Sequence, residues 1–150
     1  MRVPVQAICN TILLKSFTEN ISVTPMKLQK LLYFVYREYL QKNREPLFSE
    51  PFETWQYGPV LSSVYNEFSS FHANRITKFA KNADGSSTII STDGAPRIMS
   101  AIDTVWNKYK SFNGIELSNI THRPGSAWRK AFDSHSAVLN DEDILEDQVG

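Results

Sequence analysis

Chemistry in this chain would have to come from three histidines (His72, His122 and His135), a single cysteine (Cys9) and sixteen scattered carboxylates. A zinc site needs three or four His, Cys or carboxylate ligands at helical or hairpin spacing. The histidines pair neither with one another nor with Cys9 at such a spacing, and His-Glu-x-x-His is absent. A serine nucleophile on a strand-to-helix elbow would announce itself as Gly-x-Ser-x-Gly, and a nucleotide cradle as a glycine-rich loop; the six glycines form neither. Cys9 falls on an apolar helix stripe, where it serves as a small apolar residue, and one cysteine allows no internal disulfide. Acid–base catalysis depends on proximity in space alone, so a pair of distant carboxylates such as Glu53 with Asp103 stays open. The expectation is a binding domain with no catalysis, cofactor or metal of its own.

Recognition is the other chemistry available, and aromatic residues anchor interfaces as well as cores. Trp55 and Tyr57 stand beside a Gly58-Pro59 turn, and Arg123 and Trp128 bracket a Pro124-Gly125 break. These four are the candidate partner-binding residues. Trp128 with His122 supports a second reading, a structural lock in which the imidazole hydrogen-bonds backbone across the turn. Trp106, on a periodic apolar face, belongs to the core.

The elements that must position these residues read as mostly helical. Val5 to Phe17 places Val5, Ile8, Cys9, Ile12 and Leu13 on one stripe. Thr24-Pro25 is a helix start, with a capping hydroxyl and a proline that loses no hydrogen bond at the first position. From there Leu28, Leu31, Leu32, Val35, Tyr39 and Leu40 form a stripe that Tyr33, Phe34 and Tyr36 widen, which predicts a central helix. Phe52 to Tyr57 reads as a short strand or ordered loop, with Pro59 opening the next helix through Leu61, Val64, Tyr65 and Phe68. Residues 76 to 91 change period around Asp84-Gly85, a dipeptide suited to a tight turn, and predict a small antiparallel hairpin. Further helices follow at Ile98 to Tyr109, Ile115 to Thr121 and Ser126 to Phe132, and Asn140 caps a last piece in which Ile144 and Leu145 can dock. The fold class expected is α+β, mainly α: a compact bundle of five to seven helices with a small antiparallel hairpin or short sheet.

Apolar residues make up 41% of the chain against 21% charged, enough for one cored domain over its 150 residues. No apolar run reaches membrane-spanning length, and the first ten residues lack a basic segment followed by an apolar block, so a cytoplasmic protein without a membrane partner is expected. Net charge is zero, yet five acids (Asp141, Glu142, Asp143, Glu146 and Asp147) fall in the last ten residues and leave a body of net +5. That acidic tail, 140 to 150, is most simply a solvated helix face. The basic residues are scattered rather than striped, which disfavours a nucleic-acid partner.

Three blocks in register carry a family resemblance: Leu28-Gln29-Lys30-Leu31-Leu32-Tyr33-Phe34; Trp55-Gln56-Tyr57-Gly58-Pro59-Val60 with Tyr65 and Phe68; and Thr121-His122 with Pro124 and Trp128. Together they resemble the Panacea domain, the family of SocA-like antitoxins also described as GepA-like phage-associated proteins. The resemblance implies a single mainly helical domain over 1–150 that binds a cognate toxin in a toxin–antitoxin system. It also implies an alternative, an adaptor that delivers the toxin to a protease as a second partner. A DNA-binding regulator rests on the mildly basic body alone, and a homo-oligomer stays open. Within the motif, Leu28, Lys30, Leu31, Tyr33, Gly58, Pro59, Thr121 and His122 are expected to maintain the fold. Partner choice is expected to lie with less patterned segments, Phe71 to Ser91 and the tail.

Overall fold

The computed structural model describes residues 3–150. Seven helices and one two-stranded antiparallel sheet make up its regular structure: α1 (Val5–Glu19), α2 (Pro25–Asn43), β1 (Glu53–Trp55), β2 (Gly58–Val60), α3 (Ser62–Phe68), α4 (Pro96–Tyr109), α5 (Gly114–Thr121), α6 (Ala127–Asp133) and α7 (Asp141–Glu146). A short 3-10 turn, Ser69–Phe71, extends α3. This is the mainly helical architecture with a small hairpin that the sequence predicts.

Helix α2 is the axis of the molecule. Its start is set by Thr24, whose hydroxyl accepts from the Lys27 N–H at 3.2 Å, and by Pro25 at the first position. Apolar residues cover so much of its circumference that α1, α3, α4, α5, α7 and β2 all pack on it. The aromatic residues on it extend the core in two directions. Phe34 stacks on Tyr109 of α4 at 4.4 Å, while Tyr33 and Tyr36 meet Phe52 edge-on just before β1. A helix buried on nearly every face also buries polar residues, and Lys27, Gln29 and Lys30 are all inside. Lys27 donates to the Lys110 carbonyl at 2.6 Å, and burial pulls its amine below the ordinary lysine range.

The strand pairing forms at a different place from the one Asp84-Gly85 suggests. Residues 82 to 86 do turn tightly, with Asn82 N–H donating to the Ser86 carbonyl at 2.7 Å, but no ladder follows. The side chain of Asn10 on α1 takes the ladder's place. It donates to the Ala80 and Thr88 carbonyls at 3.0 Å each and accepts from Ala80 N–H at 2.8 Å, while Thr11 accepts from Ile90 N–H. The backbone groups that would have joined the two arms are thus satisfied from α1.

The hairpin is instead 53–60, with Glu53 opposite Val60, Thr54 opposite Pro59 and Trp55 opposite Gly58. Pro59 therefore lies in a strand rather than opening the next helix, which begins three residues later at Ser62. Residues 137–139 run along the free side of β1: Thr54 N–H donates to the Ala137 carbonyl and Leu139 N–H to the Phe52 carbonyl, both at 2.9 Å, with Glu53 bridging Val138.

The tail also departs from a solvated face. Ile144 is buried, and Asp147 is 1% exposed. The Asp147 carboxylate accepts from the Tyr33 hydroxyl at 2.5 Å, from Arg37 at 3.2 Å and from the backbone N–H groups of Ala127 and Val149. Tyr36 adds a bond to Asp141 at 2.8 Å. The acids of 140–150 thus divide into an outer set facing water and a buried one that ties the chain end to α2 and the start of α6.

Candidate partner-binding site

The three sequence blocks converge on the turn of the hairpin, and they do so through its carbonyls. Trp128 of α6 donates its indole N–H to Trp55 O at 2.8 Å. The His122 Nε2 lies 2.7 Å from Gln56 O, while its Nδ1 faces Ser118 O at 2.5 Å. The Ser118 hydroxyl donates to Tyr57 O at 2.5 Å, and the Lys30 amine to Pro59 O at 3.2 Å. Gln29 closes the series, donating to Leu61 O and accepting from Leu61 N–H. Along 55–61, side chains from α2, α5 and α6 thus meet five carbonyls. The buried ones exchange water for a protein donor, and the turn is held from three directions.

Two further contacts fix the geometry. Gly58 has φ of +118°, a conformation side chains with a Cβ rarely adopt, and a Cβ there would lie 2.7 Å from both Lys30 Cε and Thr121 Oγ1. Thr121 donates to Ser118 O and packs against this glycine. The His122 ring sits 3.9 Å from Trp128, which stacks on Phe132 at 4.8 Å with the Arg129 guanidinium over both rings. The His122 imidazole meets backbone, but at Ser118 O and at Gln56 O of the hairpin rather than across the Pro124-Gly125 turn beside it.

Among the four candidate partner-binding residues, Tyr57 is 60% exposed at the tip of the turn. Trp55 is half-buried, with its ring 4.9 Å from Tyr65, itself exposed. Arg123 is exposed in the α5–α6 break. Trp128 is only 3% exposed and sits beneath Trp55. Leu28, Leu31 and Tyr33 are core residues of α2. Sequence reasoning missed Ser118, Arg129 and Phe132. The available signal for Ser118 was its position four residues before His122, on the same helix face.

The distant carboxylates do not form an isolated pair. Glu53 accepts from the Ser62 hydroxyl and the Trp55 indole, and these bonds, the serine's first, hold it below the usual carboxylate range. Asp103 pairs with Lys15 at 2.5 Å. Among the described residues no group of three or more His, Cys, Asp or Glu side chains is placed to hold a metal ion, and no helix is long and apolar enough to cross a membrane.

A family model described as Antitoxin SocA-like, Panacea domain, matches residues 28–129. That span opens one residue before Gln29 and closes one residue after Trp128, so it encloses the hairpin and each side chain that grips its carbonyls. Antitoxin SocA of Caulobacter vibrioides (strain NA1000 / CB15N) is 30% identical over 129 residues, covering 84% of this chain and 69% of that protein. No solved structure matches.

Proposed function

The chain belongs to the antitoxin SocA-like, Panacea domain family, and from that premise we propose that it neutralises a cognate toxin by direct contact, with no chemistry of its own. The observation that carries the reading is the 55–61 turn, immobilised through its backbone while Tyr57 projects into solvent. A surface already ordered before association loses little conformational entropy on binding, and exposed tyrosine, tryptophan and arginine are the usual anchors. Tyr57, Trp55 and Tyr65 form the aromatic centre of the contact, and Arg123 lies at its edge. Trp128 works from beneath by fixing the Trp55 backbone. A stable complex needs about 800 Å² buried on each partner, so the contact extends beyond this patch, with residues 71–91 and the outer acids of the tail as its variable part.

The test is growth of cells induced for the product of the adjacent reading frame, with and without this protein, followed by co-purification. Rescue with a stable complex supports the reading. Tyr57→Ala and Arg123→Ala then report on the surface: loss of roughly 2 kcal/mol of affinity, about thirtyfold, marks an anchor. Unchanged affinity in both removes the turn from the interface. Rescue accompanied by disappearance of the toxin in protease-competent cells would indicate delivery to a protease rather than occlusion.

A further inference from the structure

Lys30 is among the most deeply buried side chains, 1% exposed. An ammonium carries three N–H donors, and among the described residues Lys30 has a single hydrogen-bond acceptor, Pro59 O, with no carboxylate in ion-pair range. Burying a cation with so little compensation is costly. Holding a carbonyl does not require it, since Gln29 serves Leu61 O one position earlier with a neutral amide.

The same Lys30 lines a cavity of about 500 Å³ between the start of α2, the hairpin and α3. Met26, Trp55, Val64, Tyr65 and Phe68 supply apolar walls. The volume falls within the range of small-molecule sites, and a mostly apolar cleft with a few polar groups, here Lys30 and Gln29 held in place from α2, is their usual construction.

We propose that this cavity binds a small amphipathic monocarboxylate, an aromatic or medium-chain acid, its apolar body against Trp55, Tyr65 and Phe68 and its carboxylate accepting the unused N–H donors of Lys30. One ammonium matches one negative charge; a phosphate dianion would bring a second charge and further acceptors into apolar walls. The site shares Trp55 and Tyr65 with the proposed toxin contact, but it does not rest on that reading, because it is tested on the free protein without a toxin.

Proton linkage follows from the surroundings. Burial alone brings the Lys30 amine down to about 7. The other ionisable side chains lining the cavity are Tyr57 from the hairpin, Tyr65 from α3 and His72 beyond the 3-10 turn. From α5 and the residue that caps its end, the neighbours are the hydroxyl of Thr121 and His122, whose ring is turned to Gln56 O. A bound carboxylate restores the charge on Lys30, so binding above neutrality takes up a proton.

The experiment is calorimetric titration of the full chain with 3-phenylpropionate and with its neutral analogue 3-phenylpropan-1-ol, in two buffers of different ionisation enthalpy. The acid is expected to bind at least about tenfold tighter than the alcohol, the margin of a charged hydrogen bond. It should take up most of a proton per molecule at pH 8 and little at pH 6. Lys30→Met should erase both the preference and the uptake. Val64→Phe, which narrows the cavity and leaves Lys30 alone, should weaken the acid about tenfold in protein that still unfolds cooperatively. Equal affinities for acid and alcohol, unchanged proton uptake in Lys30→Met, wild-type affinity in Val64→Phe, or no saturable binding at millimolar acid would each overturn the proposal.

Discussion

Gly58→Ala places the whole arrangement of the turn under test, and its cost can be worked from two separate terms. The first is conformational. With φ at +118°, an L-residue would sit in a sparsely populated region at about 1–3 kcal/mol. The second is packing. The new methyl would lie 2.7 Å from Lys30 Cε and 2.7 Å from Thr121 Oγ1. Neither neighbour can withdraw freely, since both residues are buried, Lys30 reaches Pro59 O, and the Thr121 hydroxyl is engaged with Ser118 O at 2.7 Å. Overpacking of this kind costs about 1–3 kcal/mol. The sum, roughly 2–6 kcal/mol, is a large part of the 5–15 kcal/mol typical of a domain. Gly85→Ala supplies the comparison: Gly85 has φ of +88° and nothing within 4 Å of the place a methyl would take, so it bears the conformational term alone. Urea unfolding of both variants beside the parent gives the two costs at constant slope. Gly58→Ala should exceed Gly85→Ala by about 1–3 kcal/mol, the packing term. Equal costs would mean that Lys30 and Thr121 yield to the methyl and that the turn is not tightly packed against them.

Lys30 should also make stability depend on pH. Its folded amine titrates at about 7 rather than the ordinary 10.5, so between those values the unfolded chain holds a proton that the fold has shed, and unfolding free energy rises with pH by at most about 1.4 kcal/mol per unit. Burial pushes the Cys9 thiol up, and that works in the opposite sense only once an unfolded thiol ionises. Burial lowers Lys27 as well, which adds in the same sense as Lys30. Urea midpoints from pH 7 to 8, below most of the thiol's ionisation, are therefore the window, where Lys30→Met should reduce the slope and a flat parent curve would refute it. Asp147→Ala removes the acceptor for Tyr33 and Arg37 and for the Ala127 and Val149 N–H groups. A loss of about 3–5 kcal/mol is expected, with hydrogen exchange accelerated first in α7; exchange at the parent rate there would show that the tail is held by Ile144 instead.

Where local chemistry decides an element, the sequence could be read directly. Thr24-Pro25 marks the start of α2 and Asn140 the start of α7, and each cap side chain accepts an N–H three residues on. Where distant groups decide, it could not. Asp84-Gly85 has the better local signal for a hairpin, yet its arms are taken by Asn10, some seventy residues away. The strand pair that does form has a proline in it and is completed by residues 137–139. Asp147 is one acid in a run of five, and nothing near it in sequence distinguishes the carboxylate that will be buried under Tyr33 and Arg37 from those that stay in water. The motif residues Lys30, Gly58, Thr121 and His122 could be picked out by type and order, and backbone contact by His122 could be expected, but not the fact that Lys30 and His122 both meet carbonyls of the hairpin.

That last fact bears on how one scaffold could serve different partners. A carbonyl is the same in every residue, so donors that grip Trp55, Gln56 and Tyr57 through their carbonyls impose a backbone path without specifying the side chains at those positions. Gln56 and Tyr57 are both exposed, and their replacement leaves the gripping bonds of Ser118 and His122 intact. Positions such as Gly58, Lys30 and Trp128 have no such freedom, because each occupies a fixed volume or supplies a fixed donor. On the proposed reading, selection for a new toxin can act on the outward side chains of the turn at little cost to folding, a separation that would be lost if the same residues both held the turn and faced the partner. Exchanging Gln56 and Tyr57 together for alanine should therefore change the unfolding free energy by less than about 0.5 kcal/mol, the range of ordinary surface substitutions, while reducing toxin affinity. A large loss of stability in that double variant would show that the tip of the turn belongs to the scaffold after all.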